Sequence, residues 1–227
     1  MSSLRIRGVE NISGQIEISG NKNAVLPMIA AACLCDEPLI LHNVPDILDL
    51  RNMLQLANHL GVETQFEAGS LHICAKNLKT SRIPKELCHK TRTSFLFAGP
   101  LTARCGEAEL FPPGGDVIGK RRLDSHFYGL KKLGFELDLE QGSYKFKRKK
   151  RMRGSEIFFD EASVTATEHI MMCAALAEGK TIIRNAACEP HVTELARLLN
   201  KMGARIEGMD SNVLHIEGVE KLQGAEF

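Results

Sequence analysis

The stretch Phe111-Pro112-Pro113-Gly114-Gly115-Asp116-Val117-Ile118-Gly119-Lys120-Arg121-Arg122-Leu123-Asp124 concentrates more potential chemistry than any other segment of the chain. It joins a strand-like run to a helix-like run, and it is too long and too rich in glycine for a plain connector. Loops of this kind often carry function. Arg121 and Arg122 each offer a planar guanidinium that can grip a phosphate or carboxylate through two N–H groups. Asp116 stands beside these cations as a proton donor or as their ion-pair partner. The competing reading is a solvated loop whose charges cancel.

A second set of residues lies at three helix starts. Ser19-Gly20-Asn21-Lys22-Asn23 leads straight into an apolar helical run, with Pro27 expected in its early turns. Lys22 and Asn23 at a helix N-terminus put a cation, an amide and free backbone N–H groups together, a cradle for carboxylate or phosphate. Simple capping by Asn21 or Asn23 is the alternative. Arg92, in Lys90-Thr91-Arg92-Thr93-Ser94, occupies the equivalent place before a second such helix, and Ser163-Val164-Thr165-Ala166-Thr167 before a third. Convergence of the three starts on one face is the geometric expectation.

Other candidates are weaker. Lys145 to Arg153 holds seven bases in nine positions. With two Tyr and no Trp in the chain to stack bases, it reads as a solvated hairpin exit and not as a nucleic-acid patch. The seven cysteines are scattered without a CxxC pair or zinc-type spacing, as expected of reduced thiols in a cytoplasm. The Cys33/Cys35 and Cys88/His89 pairs read as core and surface residues.

The elements that must position these residues repeat. Helices closing on Gly61, Gly134 and Gly203, about 70 residues apart, are each followed by a hairpin. The hairpins are Glu63–Glu67 with Leu71–Ala75, Glu136–Glu140 with Tyr144–Lys147, and Arg205–Glu207 with Val213–Glu217. An earlier helix and an apolar strand precede each: Ala24–Cys35 then Leu39–His42, Thr93–Arg104 then Ala108–Phe111, Thr167–Ala177 then Thr181–Arg184. The unit is strand-helix-strand-helix-strand-strand, used three times. The expected fold is α/β (α+β), with helices packed inside three small sheets, an inside-out α/β barrel. Leu4 to Ser19 reads as two further short strands. After Ile216 a new strand begins just where the chain stops, as though it were cut.

Composition narrows the function classes. The chain has 227 residues, 44% hydrophobic and 25% charged, with Lys+Arg 29 against Asp+Glu 28. General disorder is excluded, and a uniformly basic nucleic-acid binder is disfavoured, so any anion site must be local. The apolar stretch Ala24–Cys35 is too short to span a bilayer, and no signal peptide is read at the start.

With those residues in view, the sequence resembles the enolpyruvyl transferase family. The matching stretches are Ser19-Gly20-Asn21-Lys22-Asn23-Ala24, Asn43-Val44-Pro45, Gly99-Pro100-Leu101, Pro113-Gly114-Gly115, Ile118-Gly119, Ser163-Val164 and Asn185-Ala186-Ala187-Cys188-Glu189-Pro190. The Pro-Gly-Gly loop and the Asn-Ala-Ala-x-Glu-Pro segment resemble the sugar-nucleotide branch more closely than the shikimate branch. The resemblance implies two lobes of three repeats each with the active site between them, this chain covering about the first half. Residues 1–20 would then be strands belonging to a missing second, C-terminal lobe. Residues 21–227 would form the Pro-Gly-Gly-loop lobe, in repeats of about 21–90, 91–160 and 161–227.

The implied substrates are phosphoenolpyruvate and UDP-N-acetylglucosamine, with no metal or cofactor, no membrane and no nucleic acid. The implied setting is peptidoglycan precursor synthesis in the cytoplasm, and with it cell shape and division. By motif, Lys22 and Asn23 would hold phosphoenolpyruvate and the sugar, and Arg92 and Arg121 the anionic groups. Arg121, Arg122, Leu123, Asp124 and Ser125, with Glu161, Ala162, Ser163 and Val164, would line the uridine diphosphate site. Three departures stand out. Arg122 and Glu161 replace a Pro and a Lys of other members, and Asp116 stands where many carry the Cys that serves as general acid. A half-length piece would be inactive alone. A non-catalytic half-length paralogue and a shikimate-type transferase are the alternatives.

Overall fold

The computed structural model describes residues 3–115, 119 and 122–227. In the first repeat, α1 (Lys22–Ala31) passes through a short 3-10 turn to β1 (Leu39–Leu41). Helix α2 (Leu48–Leu60) and the hairpin β2 (Glu63–Glu67) and β3 (Ser70–Cys74) follow. The second adds a short helix α3 (Lys85–Cys88), then a 3-10 helix Arg92–Phe97 that runs into α4 (Ala98–Cys105). It continues as β4 (Glu107–Leu110), α5 (Asp124–Lys132), β5 (Glu136–Glu140) and β6 (Ser143–Lys147). The third comprises β7 (Glu156–Phe158), α6 (Val164–Ala174), β8 (Lys180–Arg184), α7 (Pro190–Lys201), β9 (Arg205–Glu207) and β10 (Val213–Glu217). A two-residue strand, β11 (Ala225–Glu226), comes last.

Apolar composition decides which helices go inside. Every residue of α1 from Val25 to Ala31, and of α6 from Ala166 to Ala174, is buried. A helix that is covered on all sides must lie at the centre. By contrast α2 and α7 bury one stripe, Leu50, Met53, Leu56, Ala57 and Leu60 in α2 and Val192, Leu195, Ala196, Leu198 and Leu199 in α7. The sheets lie outside as three separate units, ordered β11-β1-β3-β2, β4-β6-β5 and β7-β8-β10-β9. The expected threefold design is therefore present, with three open sheets around the helices.

The leading strand of each repeat runs parallel to the strand after its inner helix. In the third repeat it is β7 beside β8. In the second it is reduced to one bridge, Arg82 with Glu109. In the first it comes from the far end of the chain: β11 pairs with β1, Leu39 opposite Ala225 and Ile40 opposite Glu226. Hydrogen bonds from His42 N–H to the Phe227 carbonyl (2.8 Å) and from Phe227 N–H to the Ile40 carbonyl (2.9 Å) extend that pairing. The strand expected after Ile216 is thus the one that joins the first and third repeats.

Two expectations need correction. Residues 3–20 form no strand, and Leu4, Ile6, Ile12 and Ile16 are each more than four-fifths exposed. The alternation is real, but a strand exists only when paired, and no sheet edge among the described residues lies beside this segment. Pro27 is the sixth residue of α1 and not part of its first turn. Its ring removes the N–H that an α-helix aims at the Asn23 carbonyl.

The three helix-closing glycines all adopt left-handed backbone, with φ of 91° at Gly61, 95° at Gly134 and 99° at Gly203. A side chain there costs about 1–2 kcal/mol in backbone strain. At Gly61 a Cβ would also stand 2.6 Å from the Asn77 carbonyl oxygen, whereas at Gly134 and Gly203 it would meet nothing within 4 Å. Gly61→Ala should therefore lower the urea midpoint distinctly more than Gly203→Ala. Equal losses would show that the backbone at Gly61 relaxes away from Asn77.

Candidate functional site

Each inner helix begins at the same end of the lobe. Asn21 is extended (φ −82°, ψ 125°), and its side chain accepts the Asn23 N–H at 2.7 Å, so Asn21 is the cap of α1. Ser163 caps α6 by accepting from the Ala166 N–H at 3.4 Å. Asn23 is thereby left to face outward, and the first N–H groups of these helices have no helical partner. The three starts line one cleft of about 430 Å³, to which Lys22, Asn23, Arg92, Thr93, Val164 and Thr165 all contribute. The expected convergence is found.

Charge in the cleft is arranged by partners that lie far apart in sequence. The Lys22 ammonium pairs with Asp49 on the first turn of α2 at 2.8 Å. Arg92 donates from Nη2 to the Arg122 carbonyl at 3.1 Å, tying the second helix start to the far end of the glycine-rich loop. The near end of that loop is also close. Gly115, with φ of 100°, lines the cleft, and a Cβ there would stand 3.3 Å from Arg92 Cβ. Asp116 and Arg121 lie outside the described residues.

The remaining candidates divide. The Arg122 guanidinium is paired with Asp124 at 2.6 Å, so its charge is largely balanced within the chain. Leu123 packs partly buried against the core. Asp124 and Ser125, at the start of α5, line a separate shallow groove with Tyr128, Phe158, Phe159 and Asp160. Glu161 and Ala162 are exposed and line neither surface. The basic run is held by its own neighbourhood: Lys145 pairs with Glu140, Lys149 with Glu136, and Arg148 donates to the Thr102 and Ala103 carbonyls. The four cysteines of the two noted pairs and the core, Cys33, Cys35, Cys88 and Cys173, are buried. Burial raises the Cys33 thiol to about 12 and the Cys88 thiol to about 11. Among the described residues no cluster of His, Cys, Asp and Glu is arranged to hold a metal, and no helix is long and apolar enough to cross a membrane.

Several cleft residues escape sequence reasoning. Asp49 and Asn52 come from a segment that carries no local motif, and Lys90 lies in the noted Lys90–Ser94 stretch without having been assigned a role. Glu168 and His191 line the cleft too, and Glu168 Oε1 and His191 Nε2 are buried without a hydrogen-bond partner among the described residues. Glu168-His169 inside the apolar run of α6 was the one available signal, because a charged residue within a buried helix needs a reason.

Burial, and secondarily Glu189, pushes the Glu168 carboxyl well above its ordinary value of 4.5. The unfolded chain ionises there first, so this residue subtracts stability progressively as pH rises above that value, and not below it. Glu168→Gln, which is neutral at every pH, should therefore unfold at higher urea than wild type at about pH 8, with the difference shrinking toward about pH 4. A difference independent of pH would show that Glu168 is ionised in the fold.

Comparison with known proteins places this geometry. A family model described as EPSP synthase (3-phosphoshikimate 1-carboxyvinyltransferase) matches residues 6–227. The UDP-N-acetylglucosamine 1-carboxyvinyltransferase of Treponema denticola is 54% identical over 97% of this chain and 52% of its own length. The enzymes of that name from Borreliella burgdorferi and Treponema pallidum are each 50% identical over 100% of this chain and 53% of their own lengths. The chain spans about half the length of the curated relatives it matches. Among solved structures, the enolpyruvyl transferase NikO from Streptomyces tendae aligns with a TM-score of 0.82 at 20% identity, covering 95% of this chain and 51% of that one. An EPSP synthase from Acinetobacter baumannii aligns at 0.72 and 18% identity, covering 94% and 49%. At such identities the two structures speak for the fold alone. Threefold repeats, buried inner helices and a near full-length family match lead to one conclusion: the chain belongs to the EPSP synthase (3-phosphoshikimate 1-carboxyvinyltransferase) family, the enolpyruvyl transferases.

Proposed function

We propose that this chain is the lobe of an enolpyruvyl transferase that binds UDP-N-acetylglucosamine and phosphoenolpyruvate, and that the cleft at the three helix starts forms its half of the substrate site. The observation that carries the reading is the meeting of Lys22, Asn23 and Arg92 with the α6 N-terminus around one opening. Cations, an amide and the positive ends of helices suit ligands with phosphate and carboxylate groups. The sugar-nucleotide substrate follows from relatives about half identical over essentially the whole chain. A shikimate 3-phosphate substrate is the second reading, favoured only by the description of the family model.

In the proposed reaction the methylene carbon of phosphoenolpyruvate takes a proton, and the sugar 3-hydroxyl adds to the resulting cationic carbon. The hydroxyl proton is lost, and phosphate then leaves together with a proton from the new methyl group, which restores the methylene as the enol ether forms. Asp116 is the proposed proton donor, a role a carboxylic acid fills as a thiol does. Arg92 and Arg121 stabilise the phosphate and carboxylate through the transition state. Lys22 holds phosphoenolpyruvate after exchanging Asp49 for the ligand, and Asn23 holds the sugar. Arg122, Leu123, Asp124 and Ser125, with Glu161 to Val164, border the uridine end. No step asks for a metal or organic cofactor. The product would feed peptidoglycan precursor synthesis in the cytoplasm, and so cell shape and division.

Half of the relatives' length lies outside the match, and half a cleft cannot fix reacting groups in attack geometry, an effect worth roughly 7 kcal/mol or more. The 227-residue chain should therefore release no phosphate from the two substrates while still binding the sugar nucleotide weakly. Arg121→Ala should weaken that binding roughly tenfold or more, by the ~1.5–3 kcal/mol of a lost charge-assisted hydrogen bond. Calorimetric titration with UDP-N-acetylglucosamine, and with shikimate 3-phosphate as competitor, checks both points. Equal binding by wild type and variant removes Arg121 from the site, and preferential binding of shikimate 3-phosphate selects the second reading.

In the two-lobed protein, Asp116→Asn should lose most turnover. Asp116→Cys should keep activity and become open to alkylation by an epoxide, because a thiolate attacks where a hydrated carboxylate does not. An Asp116→Asn enzyme that turns over near the wild-type rate would exclude Asp116 as the acid.

A further inference from the structure

Behind the cleft wall, buried polar groups form a line with a single possible direction. The Gly99 N–H donates to His169 Nε2 at 2.7 Å. A backbone N–H cannot accept, so Nε2 is unprotonated and a neutral His169 carries its proton on Nδ1. His169 Nδ1 lies 3.0 Å from His126 Nδ1, which must accept, leaving the His126 proton on Nε2. That N–H is 3.1 Å from Thr165 Oγ1 and donates to it. Having accepted from His126, the Thr165 hydroxyl has one proton to give, and Thr165 lines the cleft.

The premises are built into the packing. Gly99 can approach His169 only because it has no side chain, since a Cβ there would stand 2.6 Å from Nε2 and 2.3 Å from Cys173 Sγ. Phe95 packs edge-on against both imidazoles, with ring centroids 5.2 Å from His126 and 5.7 Å from His169. Burial keeps both rings neutral, bringing His169 down to about 3 and His126 well below its usual value. One turn along α6, the buried Oε1 of Glu168 has no hydrogen-bond partner among the described residues, and Glu168 lines the same cleft.

We propose that Thr165 is a directed hydrogen-bond donor to an anionic oxygen of the ligand in this cleft, with His126 and His169 as positioning residues that set its direction. The proposal rests on the reading of the cleft as an anionic-substrate site and adds a residue and a mechanism of orientation to it. A hydroxyl free to rotate would serve donors and acceptors alike. With one lone pair already taken by His126, the Thr165 hydroxyl keeps its proton for the cleft, where phosphate or carboxylate oxygens accept it.

Two measurements on the full 227-residue chain test it. Long-range proton–nitrogen correlation NMR at neutral pH reports the imidazole tautomers, and the expected pattern is Nδ1–H at His169 with Nε2–H at His126. Either ring in the opposite tautomer, or protonated, overturns the chain of donors. Titration with UDP into Thr165→Val and Thr165→Ser is the second measurement. The valine variant should bind roughly tenfold or more weakly while keeping the wild-type amide spectrum, and the serine variant should restore affinity. Valine binding as tightly as wild type overturns the role of Thr165 alone. A wild-type chain that binds neither UDP nor UDP-N-acetylglucosamine overturns the reading of the cleft, and the ligand of Thr165 with it.

Discussion

Everything in this lobe follows from the need to bury three helices on all sides. Residues Val25 to Ala31 and Ala166 to Ala174 are buried along their whole length, and Phe95 to Ala103 are buried between them. Covering such helices takes a shell, and the three sheets with α2, α5 and α7 provide it. A buried helix still has unpaired N–H groups at its start, and those cannot be buried without partners. The starts must therefore reach the surface. One unit is used three times, and the three starts reach it together at one cleft. The cleft is a consequence of the core.

That origin explains its chemistry. Helix N-termini bring partial positive charge, and Lys22 and Arg92 add formal charge in a chain whose net charge is only +1. Asp49 offsets Lys22 in a partly exposed ion pair, which keeps the cation oriented and exchangeable. Burial raises the Glu168 carboxyl well above its ordinary range, which favours the neutral form where a carboxylate would repel an anion. The positive character of the cleft is thus local, without a strongly basic protein around it.

The repeat, the hairpins and the helix ends were legible because each rests on local signals: glycines at left-handed positions, alternation in strands, apolar runs in inner helices. The helix starts at Lys22, Arg92 and Ser163 were legible as pseudo-equivalent positions, and their convergence followed from the repeat. What was hidden depends on contacts between distant segments. Asp49 meets Lys22 across 27 residues, and His126 meets His169 across 43. Neither has a spacing to betray it. Residues 4–19 have the alternation of strands, yet alternation specifies a face and not a partner. The two-residue β11 closes the first sheet from the other end of the chain, a pairing no local pattern encodes.

Convergence of the three inner helices on one ligand site is the central claim, and amide shift mapping tests it directly. The 227-residue chain would be titrated with UDP-N-acetylglucosamine and then phosphoenolpyruvate while backbone resonances are followed. The expected result is concerted shifts at Lys22–Asn23, at Arg92–Thr93 and at Val164–Thr165, one set from each repeat, with the sheets' outer faces unchanged. Shifts confined to a single repeat, or centred on the outer groove bordered by Lys180, Arg205 and His215, would contradict it.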